Sequence, residues 1–193
     1  AANEVCVEQF LAGRTRFALG LIRRSPALVT ALVRRDRNAM RSVGTAVAFT
    51  GRRLAEVEDL AEAWGAEIVR RHLRDDVVAR IRWHLDAGHR VVIVSASYEQ
   101  YVRVVASHLG VHGVVATRLE VADDVCTGRL LGLNCRAAEK VVRLDAWLAE
   151  HGLSRAGLTL WAYGDSAGDR ELLAAAQHAH WVAGPLDSVP ATP

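Results

Sequence analysis

The chain has 193 residues, is 51% hydrophobic, and sets 24 Lys+Arg against 22 Asp+Glu for a formal net charge of +2. That length and apolar content suit one compact domain with a real core, or a core with a small insert. A near-neutral balance leaves no global field of the kind that marks a nucleic-acid binder, and no apolar run reaches the roughly eighteen residues that span a bilayer.

The first third reads as helical. Val5, Phe10, Phe17, Leu21 and Ile22 recur at helical spacing, Pro26 suits a first helical turn, and Ala27 to Met40 continues with Leu28, Leu32 and Val33 as an apolar stripe. Leu54, Val57, Leu60, Ala61 and Trp64, then Val77, Val78, Ile81 and Leu85, carry the same period, with Gly44, Gly51 and Gly88 as punctuation. After Gly88 the pattern changes. Arg90 to Ser95 is a short β-branched run suited to a strand buried on both faces, and Ser97 stands three residues before Gln100 at capping-box spacing. A helix is expected from there to Gly110, and a strand over Gly113 to Ala116. Arg118 to Val121 and Arg129 to Leu131, separated by Ala122 to Gly128, read as a small hairpin. A helix over Arg136 to Glu150, a strand over Leu158 to Tyr163, a helix from about Arg170 to Ala176 and a last apolar stretch around His180 to Ala183 complete the order. Strands alternating with helices imply an α/β fold with a parallel sheet in three layers, and sites at the carboxyl ends of its strands.

Lys140 is the only lysine in a chain that otherwise uses arginine for positive charge. A compact ammonium on a flexible stem can touch a phosphate oxygen and a carboxylate together, which a planar guanidinium does less readily. Ser95 falls at a strand-to-helix junction, where its hydroxyl and the amides of Ala96 and Ser97 would converge on an anion; the plainer alternative is that Ser95 and Ser97 only cap the helix. Asp165 and Asp169 bracket a Gly-rich turn after another strand, an oxygen-only donor set that favours Mg2+ over zinc, or else an acid at a helix start. Asp165 is the better metal ligand, while Asp169 either ligates or holds Lys140 or a metal-bound water.

Other residues carry less. The arginine pairs Arg23-Arg24, Arg34-Arg35, Arg52-Arg53 and Arg70-Arg71 read as solvated helix surface, the eight histidines as scattered surface or packed imidazoles, and the five tryptophans as core and rim. Cys6, Cys126 and Cys135 have no Cys-x-x-Cys spacing, which argues against a disulfide framework or thiolate zinc and fits a reducing compartment. With no signal-peptide pattern at its start, a cytoplasmic location is expected.

Taken in order, Val91-Val92-Ile93-Val94-Ser95-Ala96-Ser97, Lys140, and Gly164-Asp165-Ser166-Ala167-Gly168-Asp169 resemble the second, third and fourth motifs of the haloacid dehalogenase-like (HAD-like) phosphohydrolases. Arg118 to Val121, Thr127 to Leu130 and Asn134-Cys135 look like the segment before the lysine in the phosphoserine-phosphatase-like branch. The resemblance implies a Rossmann-like core over 76–185, a helical-bundle cap over 1–75 and an irregular tail over 186–193. It implies a Mg2+-dependent phosphomonoester hydrolase acting through an aspartyl-phosphate on a small phosphorylated metabolite or a lipid head-group phosphate. By it, Ser95, Lys140 and Asp169 are catalytic, Ser95, Ala96 and Lys140 bind phosphate, and Asp165 binds the metal.

The family's nucleophile and general acid-base come from an Asp-x-Asp pair ending a first strand, and no Asp-x-Asp occurs in this chain. Asp75-Asp76 and Asp123-Asp124 are adjacent acids without a preceding apolar run. The expectation is that the first core strand, a dozen or so upstream residues, is missing from this sequence and that the polypeptide as written binds magnesium poorly and does not turn over substrate. A catalytically dead phosphate-binding or regulatory module is the alternative, and a helical interaction protein built on the first third is a third reading. Oligomeric state is left open.

Overall fold

The structure is a computed structural model that describes residues 36–186 continuously and, before them, positions 13, 19, 20, 22, 26, 30 and 33. Expectations for Val5, Phe10, Phe17, Leu21, Leu28 and Leu32 lie outside the described residues. Pro26 is helical as expected, but Ile22 and Val33 stand exposed, so neither belongs to a packed stripe.

Helix α1 (Arg37–Phe49) starts anew where Asp36 caps it, its carboxylate accepting from the Asn38 and Ala39 amides at 3.0 Å each. The expected helix running on to Met40 is therefore interrupted at Asp36, and Gly44, expected to break helices, is buried inside α1. Gly51, with φ of 75°, does mark a turn. Helix α2 (Leu54–Arg71) follows, burying Val57, Ala61 and Gly65 at four-residue spacing. Helix α3 (Asp75–Asp86) ends before Gly88.

Strand β1 runs from Val92 to Tyr98, three residues further than its apolar run suggested. It pairs in parallel with β2 (Gly113–Thr117), and the register slips between Ser95 and Tyr98, a bulge at the carboxyl end. Helix α4 (Glu99–Leu109) therefore begins one residue later than expected. Tyr98, not Ser97, is its N-cap residue, with no side-chain capping bond, and Gly110 ends it in the left-handed conformation. The hairpin is present as β3 (Leu119–Ala122) and β4 (Val125–Leu130), antiparallel, with a turn of two residues. Asp123 and Asp124 both take positive φ, which tight hairpins require, so the long separator expected from Ala122 to Gly128 is strand for most of its length. Helix α5 (Ala138–Glu150), strand β5 (Trp161–Gly164), helix α6 (Arg170–Ala174) and strand β6 (His178–Trp181) complete the order.

Among the described residues, β1 pairs only with β2, and β5 pairs only with β6, also in parallel. The sheet is thus two parallel half-sheets rather than one continuous ladder. One core cluster lies on the β1–β2 side, where Phe49, Val57 and Ala61 of α1 and α2 meet Tyr98, Tyr101 and Leu119. A second lies on the β5–β6 side, where Leu144 and Leu148 of α5 meet Ala162, Leu172 and Leu173. The α2–α4 approach is close, since a Cβ at Gly65 would fall 2.6 Å from Val104 Cβ. Beyond β6, Gly184 and Leu186 are tied to the start of α3 by Arg74 and Asp76. No helix among the described residues is long and apolar enough to cross a membrane.

Candidate active site

The carboxyl ends of β1 and β5 and the first turn of α5 converge, and the joint between them is Lys140. Its Nζ donates to the Val94 carbonyl at 2.9 Å and to Asp169 Oδ1 at 2.5 Å. Both partners of the ion pair are only 7% exposed. The second Asp169 oxygen accepts from the Ser166 amide (3.0 Å) and hydroxyl (2.6 Å). Burial by itself raises the Asp169 carboxyl, but the hydrogen bonds from Lys140 and Ser166, together with the Lys140 charge, outweigh it and hold the group below its ordinary range.

Local backbone makes this meeting possible. A Cβ at Gly164 would lie 2.5 Å from Asp169 Cβ, so only glycine lets the aspartate fold back over the end of β5. The Ala137 amide donates to the Gly168 carbonyl at 3.0 Å, locking the start of α5 to the turn that carries Asp169. Ala137 does so at φ 56°, ψ −132°, a strained conformation for a residue with a Cβ.

Ser95 lies at the β1 bulge, one residue beyond the carbonyl that Lys140 holds. Its Oγ accepts from the Ser97 amide at 3.1 Å. Of the two amides expected to face an anion, that of Ser97 donates to Ser95 Oγ, and the helix starts at Glu99. The Ala96 carbonyl accepts from Arg41 Nη2 at 2.6 Å. Thr117 Oγ1 lies 3.0 Å from both that carbonyl and Asn134 Oδ1, and accepts from the Cys135 amide. Asp165 is exposed at the mouth of the same end. The structure thus brings Lys140 and Asp169 into contact beside Ser95 and Ala96, and leaves Asp165 exposed.

Arg41 was not among the arginines singled out from sequence. It is buried, its guanidinium 4.0 Å from the centre of the Tyr98 ring, while the Tyr98 hydroxyl lies 2.8 Å from Thr45 Oγ1. Of the arginine pairs, Arg23, Arg24, Arg34 and Arg35 lie outside the described residues, and Arg53 is exposed and paired with Glu56. The histidines are less scattered than their sequence positions suggest. His84 Nδ1 lies 2.8 Å from His89 Nδ1 and its Nε2 2.9 Å from the Tyr163 hydroxyl, with His180 stacked on Tyr163. Burial, then the charges of His89, Arg80 and His180, push His84 down to about 4. Cys126 and Cys135 are both free and buried.

Magnesium needs octahedral oxygen ligation, of which one or two carboxylates are the usual protein share. Both Asp169 oxygens are committed to Lys140 and Ser166, and among the described residues no group of three or more His, Cys, Asp or Glu could hold a metal. The residues present leave Asp165 as a single carboxylate and do not complete a magnesium site.

The chain matches the haloacid dehalogenase-like hydrolase family over residues 2–174, and it belongs to that family. It is 35% identical over 165 residues to Protein CicA of Caulobacter vibrioides, covering 83% of this chain and 71% of that protein. It is 32% identical over 129 residues to Phosphoserine phosphatase SerB1 of Mycobacterium tuberculosis, covering 66% of this chain and 41% of the other. In three dimensions it resembles the crystal structure of a Bordetella pertussis Tohama I protein at a TM-score of 0.73 and 26% identity, over 88% of this chain and 77% of that one. The α/β fold and the phosphatase relatives agree with the sequence-based resemblance.

Proposed function

We propose that this chain supplies the phosphate-holding part of a phosphomonoester hydrolase, with a small phosphorylated metabolite or a lipid head-group phosphate as substrate. In this reading Ser95 donates its hydroxyl to a phosphoryl oxygen, Lys140 screens the charge between phosphate and an attacking carboxylate, Asp169 positions Lys140, and Asp165 is one carboxylate toward a magnesium ion. Residues 1–75 act as the lid over a core spanning 76–185, excluding water and reading the leaving group. The supporting observation is the Lys140 ammonium, buried and held between the Val94 carbonyl and Asp169 at the end of β1.

The chemistry needs a carboxylate that bonds to phosphorus as the ester P–O bond breaks, a proton for the departing alcohol, and water to release inorganic phosphate from the acyl phosphate. No Asp-x-Asp in this sequence can provide the first two. The 193-residue chain is therefore expected to bind phosphate and to leave aryl phosphates intact. The absence of that motif equally favours the second reading, a phosphate-binding or regulatory module of the same fold.

Inorganic phosphate titrated against the chain, followed by 31P line broadening and thermal shift, tests the shared part of both readings. Binding in the millimolar range is expected, weakened about tenfold by Ser95→Ala and by Lys140→Arg. Binding unaffected by both substitutions would remove the pocket from the argument.

A further inference from the structure

The described positions before α1 present apolar side chains to solvent. Positions 19, 20, 22, 26, 30 and 33 are all helical, and Leu19, Ile22 and Val33 are 58%, 68% and 78% exposed. Gly20 marks the inner side of the first group, because a Cβ there would overlap Val47 Cγ1 of α1. At about 3.6 residues per turn, Leu19 and Ile22 fall within about 60° of each other and about 100° or more from Gly20, on the outer side. Pro26, Thr30 and Val33 follow at spacings of four and three residues, which places them on one helical face, and all three are exposed. The polar group among them is tied back to the chain: Thr30 Oγ1 donates to the Pro26 carbonyl at 2.9 Å, so its proton is spent on the helix rather than on water.

Charge is distributed to match. From Gln9 to Ala55 the chain has ten arginines and one acid, Asp36, a net +9 that leaves −7 on the remaining residues. The arginine pairs adjoin the apolar positions in sequence, Arg23-Arg24 after Ile22 and Arg34-Arg35 after Val33. Exposed aliphatic side chains bordered by cationic ones are the pattern of a helix lying in a bilayer interface, its apolar side in the acyl boundary and its guanidinium groups among lipid phosphates. Other occupants fit less well. A second copy would set +9 against +9, and a nucleic acid would leave Leu19, Ile22 and Val33 without an apolar partner.

We infer that Leu19, Ile22 and Val33, with the arginine pairs beside them in sequence, form a docking surface for an anionic lipid bilayer. The chain then lies on the membrane rather than crossing it, and no helix among the described residues is long and apolar enough to cross. This surface does not rest on the hydrolase reading, and its test measures no turnover.

The 193-residue chain is sedimented with vesicles of phosphatidylcholine, alone or with about 30% phosphatidylglycerol, at low salt and at about 0.5 M NaCl. It should partition onto the anionic vesicles at least tenfold more strongly than onto the neutral ones, and the added salt should weaken that binding at least tenfold. Leu19→Ser/Ile22→Ser/Val33→Ser changes three exposed positions, so it should keep the thermal midpoint while binding anionic vesicles at least tenfold more weakly. Arg23→Gln/Arg24→Gln should weaken the same binding at least fivefold. No binding to either vesicle, equal binding to both, or anionic binding that the triple serine variant retains would each overturn the inference, the last by reducing the contact to charge adsorption. Sedimentation equilibrium without lipid adds a further check. The chain and its serine variant should show the same association state, and a dimer that the variant abolishes would assign the face to a second copy instead.

Discussion

The two half-sheets finish at the same place but are secured by different chemistry. At the end of β1 the bonds are directional and polar. Arg41 and Thr117 reach the Ala96 carbonyl, Asn134 links Thr117 to Asn38, and Tyr98 meets Thr45. The β5–β6 pair is instead a stack of rings, Trp161 on His178 at 4.1 Å between centroids and Tyr163 on His180 at 4.8 Å, with His84 edge-on to both Trp161 and Tyr163. Stacking tolerates small slides that a polar network does not. The Lys140–Asp169 pair spans the two, so the placement of the softer half depends on it.

Breaking that pair is expected to have the largest effect. Lys140→Met leaves the Asp169 carboxylate buried beside Ser166 without its counter-charge, which costs about 3–5 kcal/mol. A urea midpoint shift of that size should be partly recovered by adding Asp169→Asn. If Lys140→Met alone costs under about 1 kcal/mol, the two half-sheets are not joined through this pair.

A pH series separates the halves more gently. His84 titrates near 4 when folded and near its ordinary 6.5 when unfolded, so the unfolded chain binds more protons between those values. Stability should hold above pH 6.5 and fall as pH drops toward 4, by on the order of 1 kcal/mol at pH 5 after allowance for solvent reaching the ring through the cavity it lines. His84→Gln should flatten that slope. Asp169 acts in a lower window, since its folded carboxyl is depressed and its contribution is lost only as pH falls below the ordinary aspartate value. An unchanged slope in His84→Gln would show that the ring stack does not set the pH response.

What was legible in the sequence follows from the range of the forces involved. The β-branched run at Val91 to Val94 and the caps at Gly88 and Gly110 are local, and they fixed the order of strands and helices. Lys140 stood out by composition, and its partner Asp169 by motif order. The bulge after Ser95 was not legible, because it depends on how Tyr98 packs against Phe49 and Thr45, residues about fifty positions away. Arg41 was missed for the same reason: nothing in its helix distinguishes it from the solvated arginines until Ala96 and Tyr98 arrive from another element. The imidazole cluster brings together His84, His89 and His180, which no spacing rule links.

The smallest predicted effect concerns the entry to the joint. Ala137 holds φ 56° and ψ −132°, away from the left-handed well, and from there its amide reaches the Gly168 carbonyl. Such a conformation costs an alanine roughly 1–3 kcal/mol and a glycine almost nothing, whereas glycine in the unfolded chain adds back about 0.5–1 kcal/mol of entropy. The first effect exceeds the second, so Ala137→Gly should stabilise the protein by about 1 kcal/mol and raise its melting temperature by roughly 2–4 °C. Because the change leaves both Lys140 and Asp169 in place, a gain would show that the joint is assembled against backbone strain at the start of α5. A loss would mean that the Ala137 methyl contributes packing worth more than the strain it brings, and that the joint is held by side chains alone.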